Sequence, residues 1–419
     1  MWFYVQSVFF LLTIWSNPAY AYLDPGSGSA LISTLVAAGA GLLYALKSFF
    51  YKFSGQAPEQ SAEPSDIVIF TEGKIYWGTF RLIVDELIRR KIFFRYLTLD
   101  LHDPGLEIES CYMQSRLVSA KKSGFLFIER VNARVMLATT PNIGTAGFPL
   151  KRPDVDQLIH VFHSVSDIST YRKGSLDHYD TVILAGEFQR ESIRLIEKKR
   201  SLPKKKLVTL GLPYLDELYT HITELPRVER NDGRVRILIG SSWGEKGCLR
   251  IYGTDFIRTL AQMGYQIIIR PHPHSFVYEA DYIMQCEQAL MNYSSVTWDR
   301  DVSPYKAMCD ADILISDTSA IRFDYAFLFN KPVITLDIPR QNLTDFEADD
   351  LAEDWADQAC KEIGVVVDQE TINDLEPMIC RLLKNYDNRG NKAMRDSVIA
   401  NWSHSSEKIV DYLLQQHQG

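Results

Sequence analysis

The sequence contains few cysteines and none of the spacings that make cysteine a metal ligand or a disulfide framework. Its six cysteines are scattered along 419 residues without a Cys-x-x-Cys pair. This pattern excludes zinc-ribbon metal sites and disulfide-dense secreted domains. We expect reduced and mostly buried thiols, as in a protein that faces the cytoplasm.

An excess of positive charge is also missing. Lys and Arg number 45 against 53 Asp and Glu, which gives a net charge of -8, whereas a duplex-DNA binder normally presents a basic face. No nucleic-acid partner is therefore expected. The one local basic cluster, residues 198–200 with 204–206, is interpreted as a solvated helix end and loop, in preference to a contact with an anionic membrane or a phosphate-rich acceptor.

Low-complexity sequence is absent, and hydrophobic residues make up 46% of the chain, which is typical of a folded protein. A chain of 419 residues exceeds the size at which one hydrophobic core usually stops growing. We therefore predict two globular domains, residues 66–228 and 229–419. A signal or transmembrane region, residues 1–53, and a polar linker, residues 54–65, are predicted to precede them.

Charged residues are absent from the first 23 positions. The strongly apolar run at 8–15 is followed by Ala19-Tyr20-Ala21, which resembles a signal-peptidase site, but no basic segment precedes the run. A cleaved signal peptide and a first transmembrane helix both remain open.

The second apolar segment, residues 25–46, is also uncharged and has the ~20 residues that a membrane-spanning helix needs. A buried soluble helix is the less favoured interpretation. Lys47 and Lys52 follow directly, so the positive-inside rule places the rest of the chain in the cytoplasm. The sequence thus predicts an N-terminal anchor in the inner membrane, with the catalytic domains on the side where activated nucleotides are made.

From residue 66 onward, short apolar runs alternate with helical patterns, which is typical of parallel sheets covered by helices. The polar segment 223–233 interrupts this alternation and marks the crossing between domains. A terminal helix at 408–416 is expected to pack back on the first domain. The fold class is therefore α/β of the GT-B type, in which two Rossmann-like doubly wound domains face one cleft. The predicted strands are 67–70, 94–99, 135–139, 158–162, 181–184, 207–210, 235–239, 266–269, 295–297, 312–315, 332–335 and 364–367.

Three loops directly after predicted strands contain the candidate catalytic residues, because the carboxyl ends of strands carry function in such folds. His163 ends the first of these strands and has a side chain that titrates near neutral pH, as a general base requires. His272 lies between two prolines that rigidify its loop and remove competing backbone donors. The segment 315–325 opens a helix whose N-terminus is suited to bind phosphate.

Each of these motifs alone has a structural explanation. A single histidine at a strand end is more often structural than catalytic, and the alternative role of Asp317 or Ser319 is simply to cap the helix. Their joint order and spacing favour the functional interpretation. None of the three loops contains an Asp-x-Asp metal signature, so neither a metal nor a cofactor is required.

The combined pattern resembles the CDP-glycerol glycerophosphotransferase family of teichoic-acid primases and polymerases. The resemblance covers roughly residues 154–337. The matching motifs are Arg-Pro-His-Pro-His (270–274), Ala-Asp-Ile-Leu-Ile-Ser-Asp-Thr-Ser-Ala (311–320), Phe-Asp-Tyr-Ala (323–326), Lys-Pro-Val-Ile (331–334), Ile-Leu-Ile-Gly-Ser-Ser-Trp (237–243) and Gly-Leu-Pro-Tyr-Leu-Asp (211–216).

The resemblance implies a GT-B transferase that moves glycerol phosphate, or a similar polyol or sugar phosphate, from a CDP-linked donor to a hydroxyl of a glycan or lipid-linked acceptor. It places the two catalytic histidines, one per domain, at His163 and His272. His160, His178 and His274 are expected to be supporting or surface residues. The residues expected to bind the donor are Arg270, Ser241, Ser242, Asp317, Thr318, Ser319 and Asp324.

The sequence departs from the family pattern in both halves, and the donor half matches the pattern better than the acceptor half does. The family's Trp-His-Gly-Thr is here Phe162-His163-Ser164-Val165, and its Asp-Tyr-Ser-Ser is Asp317-Thr318-Ser319-Ala320. Two alternatives therefore stay open. One is a GT-B glycosyltransferase or a UDP-sugar epimerase-like enzyme, and the other is a non-catalytic, membrane-tethered partner in polysaccharide assembly.

Overall fold

The computed structural model describes residues 66–146, 148–224, 233–338, 346–351, 355–387 and 389–418. The predicted membrane region, the linker and most of the predicted domain crossing lie outside these ranges. Within them, no helix combines the length and the apolar character needed to cross a bilayer.

The first half of the described chain forms a seven-stranded parallel sheet in the order β3-β2-β1-β4-β5-β6-β7. The interior strand β1 is buried at every position, as expected for a parallel sheet with both faces covered. The edge strand β3 was not predicted, because its sequence Met-Gln-Ser-Arg-Leu is largely polar and exposed. The strands are β1 (Ile67–Thr71), β2 (Phe94–Thr98), β3 (Met113–Leu117), β4 (Ala133–Ala138), β5 (Val155–Val161), β6 (Thr181–Leu184) and β7 (Lys206–Thr209).

The second half forms a six-stranded parallel sheet in the order β10-β9-β8-β11-β12-β13. All six strands lie within two residues of the predicted positions, since each is an apolar run bounded by turn residues. Two parallel-sheet α/β domains are consistent with the GT-B fold. The strands are β8 (Arg236–Ser241), β9 (Gln266–Pro271), β10 (Val296–Trp298), β11 (Ile313–Ser316), β12 (Val333–Leu336) and β13 (Gly364–Val367).

Helices connect the strands and cover both sheets. In the first half they are α1 (Trp77–Arg89), α2 (Lys122–Glu129), α3 (Phe188–Lys199) and α4 (Pro213–Glu224). In the second half they are α5 (Cys248–Tyr252), α6 (Asp255–Gln262), α7 (Ser275–Tyr278), α8 (Ala280–Leu290), α9 (Tyr305–Asp310), α10 (Ile321–Phe329), α11 (Trp355–Ile363), α12 (Leu375–Asn385), α13 (Arg389–Val398) and α14 (Ser405–Gln418).

One hydrophobic cluster runs through both halves, joining Val68 of the first sheet to Leu314 and Phe323 of the second. Separate clusters fill the outer face of each sheet. The last helix, α14, belongs to the cluster of the first sheet, where it buries Ile409 and Leu413. The chain therefore returns to its first domain after completing the second.

The Gly-x-Pro-x-x-Asp motif anchors this returning segment. Gly211 has φ +100°, and a Cβ there would lie 2.2 Å from the Ser405 Oγ, so only glycine fits without displacing the start of α14. The Asp216 carboxylate accepts hydrogen bonds from the Ser405 hydroxyl and the Ser406 N–H, both at 3.2 Å. The motif holds the last helix against the first domain.

The basic cluster after α3 also binds the protein itself. Lys199 pairs with Asp350 at 3.1 Å, and Arg200 pairs with the fully buried Glu347 at 2.9 Å. A segment beyond β12 thus crosses onto the first domain at this point. The cysteines are less buried than expected, because Cys111, Cys309 and Cys380 are exposed while Cys248, Cys286 and Cys360 are buried.

Candidate functional site

His163 lies at the carboxyl end of β5, in the first half of the molecule. Its Nδ1 is 3.0 Å from the hydroxyl of Thr139, which follows the neighbouring strand β4 and is fully buried. The Tyr76 ring packs edge-to-face with the imidazole at a centroid distance of 5.1 Å, and the Tyr171 ring lies parallel to the imidazole at a centroid distance of 6.3 Å. Burial lowers the pKa of His163 to about 4, so the imidazole is neutral at pH 7 and can accept a proton at Nε2.

His272 occupies the equivalent position after β9, in the second half. Its backbone N–H donates to the Ser241 carbonyl at 3.0 Å, and its Nδ1 accepts the His274 N–H at 3.1 Å. A neutral ring with an acceptor at Nδ1 carries its proton on Nε2. Burial is the largest cause that lowers the pKa of His272 to about 3. His272 is therefore a neutral hydrogen-bond donor.

The two histidines lie close to each other although they belong to different sheets. After burial, the next contribution to the low pKa of each is the charge of His274, and His163 contributes to that of His272 as well. Such effects require proximity. The cluster thus contains three histidines, and His274, which the sequence analysis placed among the supporting residues, is one of them.

The remaining histidines have other surroundings. His160 is fully buried, and its ring contacts Phe162, Tyr171 and Tyr179 at centroid distances of 5.0, 5.7 and 5.0 Å. His178 is exposed. His178 therefore lies outside the three-histidine cluster, whereas His160 is buried beside His163, which adds to the effect of burial in lowering the pKa of His160.

Asp317 organises the phosphate-binding candidate loop after β11. Its fully buried carboxylate accepts the Ser242 N–H and hydroxyl, the Cys248 N–H at 2.6 Å and the Ser319 N–H at 3.0 Å. Four donors converging on one carboxylate fix the β8–α5 loop against the β11–α10 loop. Asp317 therefore shapes the site, and a carboxylate in this position would repel a phosphate.

The hydroxyls of Ser242, Thr318 and Ser319 lie around the start of α10. The Ser242 and Thr318 oxygens are 3.5 Å apart, and Thr318 is exposed. Helix α10 has Ala320 at its N-cap and no side-chain cap, although the Ser319 hydroxyl lies 3.5 Å from the Ile321 nitrogen. The helix N-terminus is thus lined by hydroxyls rather than closed by a strong cap, which suits an anion.

Two other predicted donor-binding residues, Arg270 and Ser241, are buried and bonded to neighbouring loops. Arg270 is 7% exposed, pairs with Asp299 and donates to the carbonyls of Asp301 and Val302, both at 2.9 Å. Ser241 is also buried, and its hydroxyl donates to the Ser242 carbonyl at 2.9 Å. Both residues brace loops beneath the site, because their polar groups are already engaged inside the protein.

Asp324 is buried in the first turn of α10. Among the described residues, its Oδ1 has no hydrogen-bond partner. Burial raises the pKa of Asp324 to about 8, so the carboxyl is largely protonated at pH 7 and can donate a hydrogen bond. An unsatisfied buried carboxyl next to a phosphate-binding candidate loop is suited to meet a polar group of a ligand.

Three Asp-x-Asp triplets do occur outside the three loops, at 154–156, 299–301 and 310–312. Asp299 forms an ion pair with Arg270, and Asp312 accepts a hydrogen bond from the Arg236 backbone N–H at 2.9 Å. Across the part of the chain that the structure describes, no group of three or more His, Cys, Asp or Glu side chains is arranged to hold a metal ion.

Sequence reasoning missed Thr139. The available signal was its position, since Thr139 follows β4 as His163 follows β5, and these two strands pair directly. Neighbouring parallel strands bring the residues after their carboxyl ends together.

Residues 142–338 match the model of the family described as CDP-Glycerol:Poly(glycerophosphate) glycerophosphotransferase. This segment contains both candidate histidines and the whole phosphate-binding candidate loop. The family resemblance is therefore confirmed for this segment. No curated protein sequence matches the chain.

Solved structures of nucleotide-sugar enzymes share the fold. A UDP-GlcNAc 2-epimerase from Neisseria meningitidis, bound to UDP-GlcNAc, superposes with a TM-score of 0.54 at 15% identity, covering 83% of this chain and 99% of its own. A putative UDP-N-acetylglucosamine 2-epimerase from Listeria monocytogenes gives 0.56 at 9% identity, covering 84% and 96%. Anabaena HepE, in complex with UDP and glucose, gives 0.51 at 12% identity, covering 84% and 99%. The family match and this fold together support a transferase that uses a nucleotide-linked donor.

Proposed function

We propose that the protein transfers glycerol phosphate, or a similar polyol or sugar phosphate, from a CDP-linked donor to a hydroxyl of a glycan or lipid-linked acceptor. The observation that carries this proposal is the convergence of His163 and His272, from two different sheets, beside the hydroxyl-lined start of α10. A base and a hydrogen-bond donor beside a phosphate site suit phosphoryl transfer, which depends on positioning and on stabilising charge.

In the proposed reaction, the acceptor hydroxyl attacks the donor's β-phosphorus while Nε2 of His163 takes its proton. The new P–O bond forms on the acceptor, the bond from that phosphorus to the bridging oxygen breaks, and CMP leaves with the electron pair. The Nε2–H of His272 donates to a pyrophosphate oxygen as negative charge grows there. The bound pyrophosphate would raise the low pKa of both histidines, because a nearby anion favours the protonated imidazole.

The donor's phosphates would bind at the start of α10, through the hydroxyls of Thr318 and Ser319 and the helix dipole. The Ser242 hydroxyl already donates to Asp317 at 2.6 Å and would help to hold the loop. Asp317 would keep this cradle in place without contacting phosphate. The protonated Asp324 carboxyl would donate to a hydroxyl or carbonyl oxygen of the nucleotide. Arg270 would act indirectly, by holding the loop at 299–302.

The proposed setting is the inner face of the cytoplasmic membrane, with residues 1–53 as the anchor. The uncharged segment 25–46 followed by Lys47 and Lys52 supports this orientation. Reporter fusions after residue 53 should report a cytoplasmic location. A signal from the opposite side of the membrane would contradict both the topology and the use of a nucleotide donor.

The deciding experiment is a CMP-release assay on the full-length chain with CDP-glycerol, CDP-ribitol and other CDP-alcohols, run beside UDP-GlcNAc. Release of CMP that depends on both histidines supports the proposal. Turnover of UDP-GlcNAc without CMP release would favour the epimerase or glycosyltransferase alternative. Binding of donors without any turnover would favour the non-catalytic partner.

A further inference from the structure

Three aromatic side chains form an exposed cluster next to His272. The rings of Trp243, His274 and Tyr278 lie 5.3 to 5.9 Å from one another, and His274 lies 5.1 Å from His272. Trp243 is 42% exposed and Tyr278 is 70% exposed. We call these three residues the aromatic platform. It continues the three-histidine cluster outward, so a ligand that extends from the reacting centre would meet it.

The platform is held from below by one carboxylate. Glu279, whose side chain is 10% exposed, accepts the Gly244 N–H at 2.8 Å, the Ser275 hydroxyl at 3.0 Å and the Arg250 Nε–H at 3.1 Å. Gly244 and Ser275 adjoin Trp243 and His274, and Tyr278 directly precedes Glu279.

Two platform loops and the end of α7 thus share one anchor. Gly244 has φ +76°, a conformation that favours glycine and turns the chain directly after Trp243. Exposed rings on fixed loops lose little freedom when a ligand binds, so the surface is preorganised.

The chemistry of the platform differs from that of the phosphate-binding candidate loop. Burial lowers the pKa of His274, so its ring is neutral at pH 7. The nearby cation is already occupied, because Arg250 pairs with Glu279 and lies 3.6 Å from the ring centre of Tyr282. A neutral aromatic surface with polar ring edges offers little to a pyrophosphate. It suits a flat ring that has apolar C–H faces and hydroxyls at its rim.

We propose that the aromatic platform is an acceptor subsite that stacks a sugar ring of the acceptor while one of its hydroxyls reaches His163. This inference rests on the proposed function and narrows its acceptor to a cyclic carbohydrate. An acyclic polyol has no ring face to stack and would gain little from the platform.

The test uses two acceptor probes with the same tail, octyl β-glucoside and 1-O-octylglycerol, on the full-length chain with CDP-glycerol as donor. The wild type should prefer the cyclic probe. Trp243→Ala and Tyr278→Ala should each lower kcat/KM for octyl glucoside about fivefold relative to 1-O-octylglycerol, since an aromatic contact contributes on the order of 1 kcal/mol. Trp243→Phe should restore most of the preference.

Phe93→Ala is the matched control, because Phe93 is 38% exposed and precedes β2 at the amino end of the first sheet. It should leave the preference unchanged. Equal losses with both probes, or none, would overturn the subsite. A rise in KM for the donor alone would instead assign the platform to the cytosine base.

The failure of the proposed function is distinguishable from the failure of this inference. If the wild type releases no CMP with any acceptor, the transferase proposal fails, and the platform is tested by saturation-transfer NMR with methyl β-glucoside. Saturation transfer to the sugar protons in the wild type that is lost in Trp243→Ala would support the subsite. Absence of saturation transfer in the wild type would overturn it.

Discussion

The two sides of the cleft hold their histidines by different means. His272 is fixed by the backbone, through hydrogen bonds to Ser241 and from His274, and two carboxylates, Asp317 and Glu279, secure the loops around it. The His163 ring contacts other side chains, with the Thr139 hydroxyl at Nδ1 and aromatic rings around it. The position of His272 should therefore depend on its loops and their anchoring carboxylates, and that of the His163 ring on the few side chains around it.

This contrast matches the distribution of the family motifs. The second half matches the family pattern better than the surroundings of His163 do, although Asp317-Thr318-Ser319-Ala320 also departs from it. Under the proposed function, the loops of the second half bind a common donor and have little room to vary. The pocket around His163 would receive the acceptor, and it could change shape with the acceptor while the donor site stays the same.

Loss of either histidine gives the largest expected effect. His163→Ala or His272→Ala should lower the rate of CMP release by about 10²–10⁴-fold at saturating donor, the usual range for an acid or base in the transition state. His178→Ala is the matched control, since His178 is exposed and outside the cluster. A full rate in both cleft variants would end the two-histidine mechanism.

Ser319→Ala distinguishes a phosphate ligand from a helix cap on the donor side. Loss of one hydrogen bond to a charged phosphate should weaken donor binding about ten- to a hundredfold, or roughly 1.5–3 kcal/mol. Because α10 has no side-chain cap, the melting temperature of the variant protein should change little. Unchanged donor titration together with a loss of about 1 kcal/mol in unfolding free energy would show a cap instead.

Thr139 tests the acceptor side, where it acts as a positioning residue. Thr139→Val should lower kcat more than it raises KM, by roughly tenfold, because the imidazole loses its only described hydrogen bond. Thr139→Ser should restore activity. Thr139→Asp should raise the pKa of His163 from about 4, and so move the acid limb of the kcat/KM profile to higher pH by about one to two units.

A pH-rate profile that stays in place in Thr139→Asp would contradict the direct contact between the two side chains. It would leave Thr139 with a purely structural role.

The smallest expected effect concerns Asp216 and the stability of the returning helix. Burial raises the pKa of Asp216 to about 7, so the folded state holds this proton more tightly than the unfolded chain. The stabilisation is complete below about pH 4 and is lost as pH rises to about 7. The melting temperature of the wild type should therefore fall relative to that of Asp216→Asn across this range. A constant difference would show that the carboxyl titrates normally.

The sequence predicted the elements that have one strong local signal. Buried strands read as apolar runs, so β1 and β6 were placed almost to the residue, whereas the polar edge strand β3 had no such signal. The loops after β5, β9 and β11 were found for the same reason, because the strands before them were clear.

The features that were not foreseen concern side chains whose partners are distant in sequence. Arg270, predicted to bind the donor, pairs with Asp299, and Arg200, expected in a solvated cluster, pairs with Glu347. The local amino-acid composition does not indicate such tertiary partners. Thr139 was missed because a threonine at a strand end is unremarkable until its neighbour is known.

The return of the last helix to the first domain has a consequence for biosynthesis. The ribosome synthesises the first sheet early, but the segment that covers its outer face and fills the space beside Gly211 is made only after the second sheet. The apolar outer face of the first domain therefore stays exposed while the second domain is synthesised. Contacts of such long sequence separation form slowly, and nascent chains in this state are prone to aggregate. Deletion of α14 should therefore lower the yield of soluble protein more than it lowers the activity of the protein that does fold.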